Sequence, residues 1–226
     1  MAFELRKEPH KIAILGTGEG WNLLPVNSDH TIYALNDFLY VERFQIQPDL
    51  LFIMDVLDEK PQIVTGIQNL GDVISRINAL KIPLVGPYQY EEIPLSMAFP
   101  ITECVKRFGM AYFNNTIAYM IAYALIKGAK QIDVFGVNQS SGSEYFYEKA
   151  GVEYWLGVAN GLGVKLTLYG SKSELLTNKP RFGGGLLYGY NMTFPQVLNM
   201  ETKFGTMIKK LAMPTKQVSR DVRKVI

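Results

Sequence analysis

Six short apolar runs, each stopping at polar or glycine residues and each followed by enough chain for a helix or a long turn, leave this sequence few folds to adopt. Lys11-Ile12-Ala13-Ile14-Leu15 runs into Gly16-Thr17-Gly18-Glu19-Gly20, Thr31-Ile32-Tyr33-Ala34-Leu35 into Asn36-Asp37, and Leu50-Leu51-Phe52-Ile53-Met54 into Asp55. Ile82-Pro83-Leu84-Val85, Gln131-Ile132-Asp133-Val134-Phe135 and Val164-Lys165-Leu166-Thr167-Leu168 complete the set. Continuous apolar runs of this length fit strands buried on both faces, the signature of parallel pairing. Between them, Ile63, Ile67, Leu70, Ile74 and Ile77 recur at helical spacing, as do Ile117, Met120, Ile121, Ala124 and Leu125. Asn115 or Thr116 is placed to cap that second helix and Gly128 to close it. Val152 to Leu162 reads as a further helix, and Tyr88 to Pro100, with Pro94 and Pro100 and no period, as a loop. The expected fold is α/β and Rossmann-like: a mostly parallel sheet with helices on both faces, plus a C-terminal appendage.

Composition agrees with that class. The 226 residues are 48% hydrophobic, and 23 Lys plus Arg against 21 Asp plus Glu leave a net charge of +2, which excludes disordered and collagen-like chains. Cys104 is the single cysteine, so no disulfide within the chain, thiolate metal cluster or CxxC pair can form. His10 and His30 are the only histidines, which gives a metal site or a Ser-His-Asp triad very little to draw on. No metal is expected. No apolar run approaches the roughly 18 residues of a spanning helix, and Met1 to Pro9 lacks the apolar centre of a signal peptide, so a cytoplasmic, membrane-free protein is expected.

The character changes after Ser171. Pro180-Arg181-Phe182-Gly183-Gly184-Gly185 reads as a joint, and Met200, Phe204, Met207, Ile208 and Leu211 share one helical face that ends at Pro214. The expected organisation is a nucleotide-binding domain over 1–178 and a Gly-rich joint with a basic helical arm over 179–226. The arm's apolar face favours a homo-oligomer through residues 186–213. Its basic residues, from Lys203 to Lys224, could touch nucleic acid, but a docking arm is the favoured reading.

In open parallel sheets, ligands lie outside the carboxyl ends of the strands, where strand order reverses. That rule points to Gly16, Thr17, Gly18 and Gly20, to Asn36, Asp37 and Asp55, and to the exit Gly136-Val137-Asn138-Gln139-Ser140-Ser141-Gly142-Ser143. The glycines could let backbone N–H groups approach a phosphate, or could serve only a tight turn. Glu19 would repel a pyrophosphate if it pointed inward, which disfavours a simple dinucleotide fingerprint. Asn36 and Asp37 stand where a side chain can read a ribose or base, and equally where a turn or cap residue is common. Glu144, Tyr145, Tyr147 and Glu148 gather acids and phenols that can bind sugars or transfer protons, unless they are a solvated loop. Glu153 opens a helix, where the dipole alone can explain a carboxylate, and Trp155 reads as core or interface rather than a stacking platform.

Taken in order, Ile14-Leu15-Gly16-Thr17-Gly18-Glu19-Gly20, Leu35-Asn36-Asp37, Asn115-Thr116-Ile117-Ala118-Tyr119-Met120 and Phe135-Gly136-Val137-Asn138 resemble bacterial lipooligosaccharide sialyltransferases. They are similar, too, to the related Rossmann-like superfamily that includes archaeal 6-hydroxymethylpterin diphosphokinase. Ser143-Glu144-Tyr145, Glu153-Tyr154-Trp155-Leu156-Gly157 and Leu187-Tyr188-Gly189-Tyr190 resemble a group of tailed-phage proteins of unassigned activity, which would place the chain in a host cytoplasm.

The resemblance spans roughly Lys11 to Tyr190. It implies that Gly16, Thr17, Gly18 and Asn36 bind the nucleotide of a donor, with Thr116 and Asn138 lining the cleft and Tyr145 and Tyr147 approaching the donor phosphate. Two positions depart from the family pattern: its Gly-Pro-Ser turn is Gly18-Glu19-Gly20, and its general-base histidine falls at Val158. An acid or base would then come from Asp37, Glu144, Glu148 or Glu153. The expectation is a metal-independent glycosyltransferase whose nucleotide-activated donor is a substrate rather than a cofactor. The alternatives are a catalytically inactive, sequestering or accessory nucleotide-binding phage protein, and a Mg²⁺-dependent diphosphokinase using carboxylates such as Asp37 and Asp55.

Overall fold

The structure is a computed structural model that describes residues 10–39, 45–55, 57, 70–139, 147–176, 186–187, 192–193, 196 and 199. The chain divides into two compact units, Met1–Leu175 and Leu176–Ile226. In the first, β1 (Lys11–Leu15), β2 (Thr31–Leu35), β3 (Leu50–Phe52), β4 (Leu84–Gly86), β5 (Ser96–Ala98), β6 (Gln131–Phe135) and β7 (Lys165–Tyr169) form one sheet. Its order is β5-β4-β3-β2-β1-β6-β7 and every neighbouring pair is parallel. The fold is α/β and Rossmann-like, as the apolar runs predict. Strand order reverses between β1 and β6, where Ile14 pairs with Tyr33 on one side and Val134 on the other.

Side chains alternate across each strand, so the sheet feeds two cores. Ile12, Ile14, Tyr33, Phe52, Ile132 and Val134 face helices α3 (Thr116–Ile126) and α4 (Lys149–Gly161), meeting Ile117, Met120 and Ile121 of α3 and Val152, Trp155 and Leu156 of α4. Ala13, Leu15, Ala34, Leu51 and Phe135 face the other way, with Val73 and Ile77 of α1 (Leu70–Leu80). Nine of the eleven residues of α3 are buried, so that helix is a core element rather than a surface one. Asn115 Oδ1 accepts the Ala118 N–H at 2.9 Å at its start, and Gly128 takes the left-handed conformation just past its end. Trp155 is fully buried, donates Nε1–H to the Tyr112 carbonyl at 2.8 Å and stacks on Phe113, a core residue as expected.

Two elements differ from the sequence reading. The stretch read as a loop from Tyr88 to Pro100 contains edge strand β5, and the following residues form α2 (Ile101–Phe108). Ser96-Met97-Ala98 has no apolar run to betray it. Buried Ser96 fixes it instead, its Oγ accepting the Tyr90 N–H at 2.8 Å and donating to the Tyr90 carbonyl at 3.1 Å.

The second unit shows, among its described residues, an antiparallel pair of β8 (Leu186–Leu187) and β9 (Met192–Thr193). The apolar helical face from Met200 to Leu211 and the basic tail lie outside the described residues, as do residues 61–69. Among the described residues no helix is long and apolar enough to cross a membrane.

Candidate functional site at the carboxyl edge of the sheet

The turn after β1 and the exit of β6 are built as one unit. Gly16 N–H donates to the Phe135 carbonyl and Gly18 N–H to the Gly136 carbonyl, both at 2.8 Å, which carries the β1–β6 pairing past the end of the strands. A Cβ on Gly16 would stand 2.5 Å from the Gly136 oxygen, one on Gly18 2.7 Å from the same atom, and one on Gly136 2.5 Å from the Gly16 oxygen. Three glycines therefore let two backbones touch, and Gly136 also has φ +64°. With the Asn138 amide turned so that both its ends are satisfied, its oxygen accepts Glu19 N–H at 3.1 Å and its nitrogen donates to the Glu19 carbonyl at 3.2 Å. The N–H groups of Gly16, Gly18 and Glu19 are thus spent within the protein. Those of Thr17 and Gly20 have no hydrogen-bond partner among the described residues.

The Glu19 side chain leans toward the end of β7. Its carboxylate accepts Ser171 Oγ–H at 3.0 Å and pairs with Lys172. Because β7 and β2 lie on opposite sides of the β1–β6 pair, that charge is held away from Asn36. The repulsion that Glu19 threatens in the sequence is removed by this placement.

Asn36 opens a 3₁₀ turn, Asn36–Leu39, directly after β2, and is half-buried. Its Nδ2 donates weakly to Asp55 Oδ2 at 3.4 Å across the exit of β3, while its buried Oδ1 has no partner among the described residues. On the far side of the glycine turn, Gln139 is 7% exposed, has φ +49°, and its buried Oε1 likewise has no partner among the described residues. An unmet buried acceptor costs about 1–3 kcal/mol, so two of them flanking a glycine turn at the switch point are places where a ligand's donor groups would be stabilised.

Helix α3 brings its N-terminus to this same edge, with half-buried Thr116 as its first residue. Asn115 Nδ2 donates to the Glu148 carbonyl at 2.8 Å and Asn114 Nδ2 to the Tyr147 carbonyl at 2.9 Å, so the segment leading into α4 is tied to the start of α3.

No protein-family model matches the chain, and no curated protein matches it. Among solved structures it is similar to the sialyltransferase CstII from Campylobacter jejuni in complex with the substrate analogue cytidine-5'-monophosphate. That match has 16% identity and a TM-score of 0.45, over 73% of this chain and 81% of the other. It is also similar to the monofunctional α-2,3-sialyltransferase Cst-I from Campylobacter jejuni at 12% identity and a TM-score of 0.46, over 92% and 98% of the two chains. Likeness at this level says nothing of activity, which has to be read from the site's own residues.

Gly16, Thr17, Gly18, Gly20, Asn36, Gly136 and Asn138 all come to the carboxyl edge around the switch point. Asp37 occupies the second position of the turn after β2, its side chain outside the described residues. Ser143, Glu144 and Tyr145 also lie outside them. Tyr147 is 83% exposed, half-buried Glu148 precedes α4, and Glu153 pairs with Lys149 one turn earlier at 3.7 Å. Val158 is half-buried and packs against the core under α4. Gln139 was not singled out by the sequence, although it follows Asn138 in the polar exit of β6. Its unusual backbone is invisible in a string of letters. Among the described residues no three His, Cys, Asp or Glu side chains converge as metal ligands.

Proposed function

We propose that residues 1–178 bind a nucleotide or nucleotide-sugar across the carboxyl ends of β2, β1 and β6, and that the chain transfers the glycosyl group of a nucleotide-activated donor, with 179–226 as an attached arm. The observation that carries this reading is the buried Oδ1 of Asn36, unpartnered among the described residues, beside the glycine turn at the switch point. Asn36 and Gln139 would accept hydrogen bonds from the base or sugar, while Thr17 and Gly20 N–H groups would meet the phosphate.

In the transfer, an acceptor hydroxyl oxygen bonds to the anomeric carbon, the carbon–oxygen bond to phosphate breaks, and the phosphate leaves with the electron pair. The hydroxyl proton passes to a carboxylate, for which Asp37, Glu144, Glu148 and Glu153 are the candidates, Glu153 being already paired with Lys149 at 3.7 Å.

Calorimetry with a panel of nucleotides and nucleotide-sugars tests the reading. The ligand that binds should lose about tenfold or more in affinity in Asn36→Ala, as expected for a lost hydrogen bond in a buried site. An unchanged Kd would overturn it. A second reading, binding without turnover, is favoured by Val158 standing at the family's histidine position. Release of free nucleotide from a bound nucleotide-sugar selects the enzyme, and tight binding without release selects the binder.

A further inference from the structure

The sheet face turned away from α3 and α4 carries a second polar constellation, independent of the nucleotide reading. Asp133 sits in the middle of β6 between Ile132 and Val134 and is 1% exposed. Its register partner on β1 is Ala13, whose small side chain leaves room above the sheet. Into that room comes His30, 6% exposed, whose Nε2 meets Asp133 Oδ2 at 2.7 Å. Gln131 Nε2 donates to the same oxygen at 2.6 Å, and Phe135 meets the imidazole edge-on. The other ring nitrogen, Nδ1, lies against Ser28 Oγ, which also accepts the His30 backbone N–H at 3.2 Å. The array was not legible from a chain with two histidines, because Ser28 and His30 meet Asp133 from 103 or more residues away.

Three facts make this more than a tie between a loop and a strand. An ionised carboxylate only accepts, so a neutral His30 must place its proton on Nε2, leaving Nδ1 as the lone-pair nitrogen that faces the serine hydroxyl. The other Asp133 oxygen, Oδ1, is buried with no partner among the described residues, a costly arrangement for a mere staple inside a central strand. Ser28 and His30 also line a groove of about 430 Å³ with Lys11, Asp133, Phe135 and Tyr169, floored by the parallel-stacked rings of Phe135 and Tyr169 at 4.3 Å.

We infer that Ser28, His30 and Asp133 form a nucleophilic serine centre that accepts a small acyl group from an ester lying in this groove. Ser28 Oγ bonds to the acyl carbon while its proton moves to His30 Nδ1. The ester carbon–oxygen bond breaks, and the departing alkoxide takes that proton and leaves as the alcohol. Water then repeats the exchange and releases the carboxylic acid, restoring Ser28. Asp133 stabilises the imidazolium formed in between, and Gln131 orients the carboxylate.

Treating the full native chain with a fluorophosphonate probe tests the assignment. One adduct, mapped to Ser28 by peptide mass spectrometry, is expected, forming about a hundredfold or more faster than on urea-denatured chain, in which the three residues are apart. Ser28→Ala should gain no adduct, and His30→Gln should label about a hundredfold more slowly. No adduct on native protein while a serine esterase in the same tube labels fully, an adduct on another residue, or equal rates for native and denatured chain would overturn the proposal. The native-against-denatured comparison decides even where His30→Gln fails to fold.

Discussion

Gly136 is the residue on which the carboxyl-edge site turns. Its φ of +64° and the 2.5 Å that would separate a Cβ from the Gly16 oxygen exclude a side chain twice over, once by conformation and once by space. Gly136→Ala should therefore destabilise by roughly 2–5 kcal/mol, summing a left-handed alanine and an overpacked contact, and urea titration would read it. A change below about 0.5 kcal/mol would mean that the β1 turn and the β6 exit do not touch as described. The sequence exposes Gly16, Gly18 and Gly20 because they are close-spaced, and it suggests a phosphate cradle. It does not expose the pairing of those glycines with Gly136, since a backbone contact between distant turns leaves no periodicity. For the same reason Asn138 reads as a cleft residue in the string, while its amide is occupied by the Glu19 backbone.

At the scale of elements, apolar runs and helical spacing were enough for six strands and for α3 and α4; burial on both faces demands such runs of β1, β2, β3, β4 and β6, while edge strand β7 is only half-buried. Edge strand β5 escaped, held by a buried serine hydroxyl rather than by apolar side chains, and α2 starts behind Pro100 with no unbroken apolar face. The capping of α3 was legible, but its second role was not: the Asn115 amide both accepts the Ala118 N–H and donates to the Glu148 carbonyl. These two functions separate by substitution. Asn115→Ala should cost about 1–2 kcal/mol of stability, as a lost cap does. Asn115→Ser keeps a capping oxygen and loses the amide's tie to residue 148 together with its bond to Asn114 Oδ1, so stability should fall by less than half as much while hydrogen exchange and proteolysis rise around residues 147–149. Equal losses in the two variants would show that the cap plays no part.

The molecule as a whole buries acidic hydroxyl and thiol groups in the core beneath α3, which sets its response to alkali. Burial, and after it the charge of Glu103, pushes the Cys104 thiol from its ordinary 9.0 up to about 11 and the Tyr123 phenol from 10.0 up to about 12. Burial among Phe52 and Tyr123 pushes Tyr33 upward too, and its hydroxyl has no partner among the described residues. Each group binds its proton more tightly in the folded chain, so its contribution is intact below the unfolded value and is lost as pH climbs toward the folded one. Stability should hold level up to about pH 9 as far as these groups are concerned. It should then fall by about 1.4 kcal/mol per pH unit as unfolded Cys104 ionises, and about twice as steeply or more once unfolded tyrosines join above pH 10. Urea midpoints measured from pH 8 to 12 would trace this, and Tyr123→Phe should flatten only the part above pH 10. Since Cys104 is fully buried as well, it should resist iodoacetamide in native protein at pH 8 and react once urea unfolds the chain. A flat profile to pH 12, or prompt alkylation of the native thiol, would mean that the layer between the sheet and α3 is open to water.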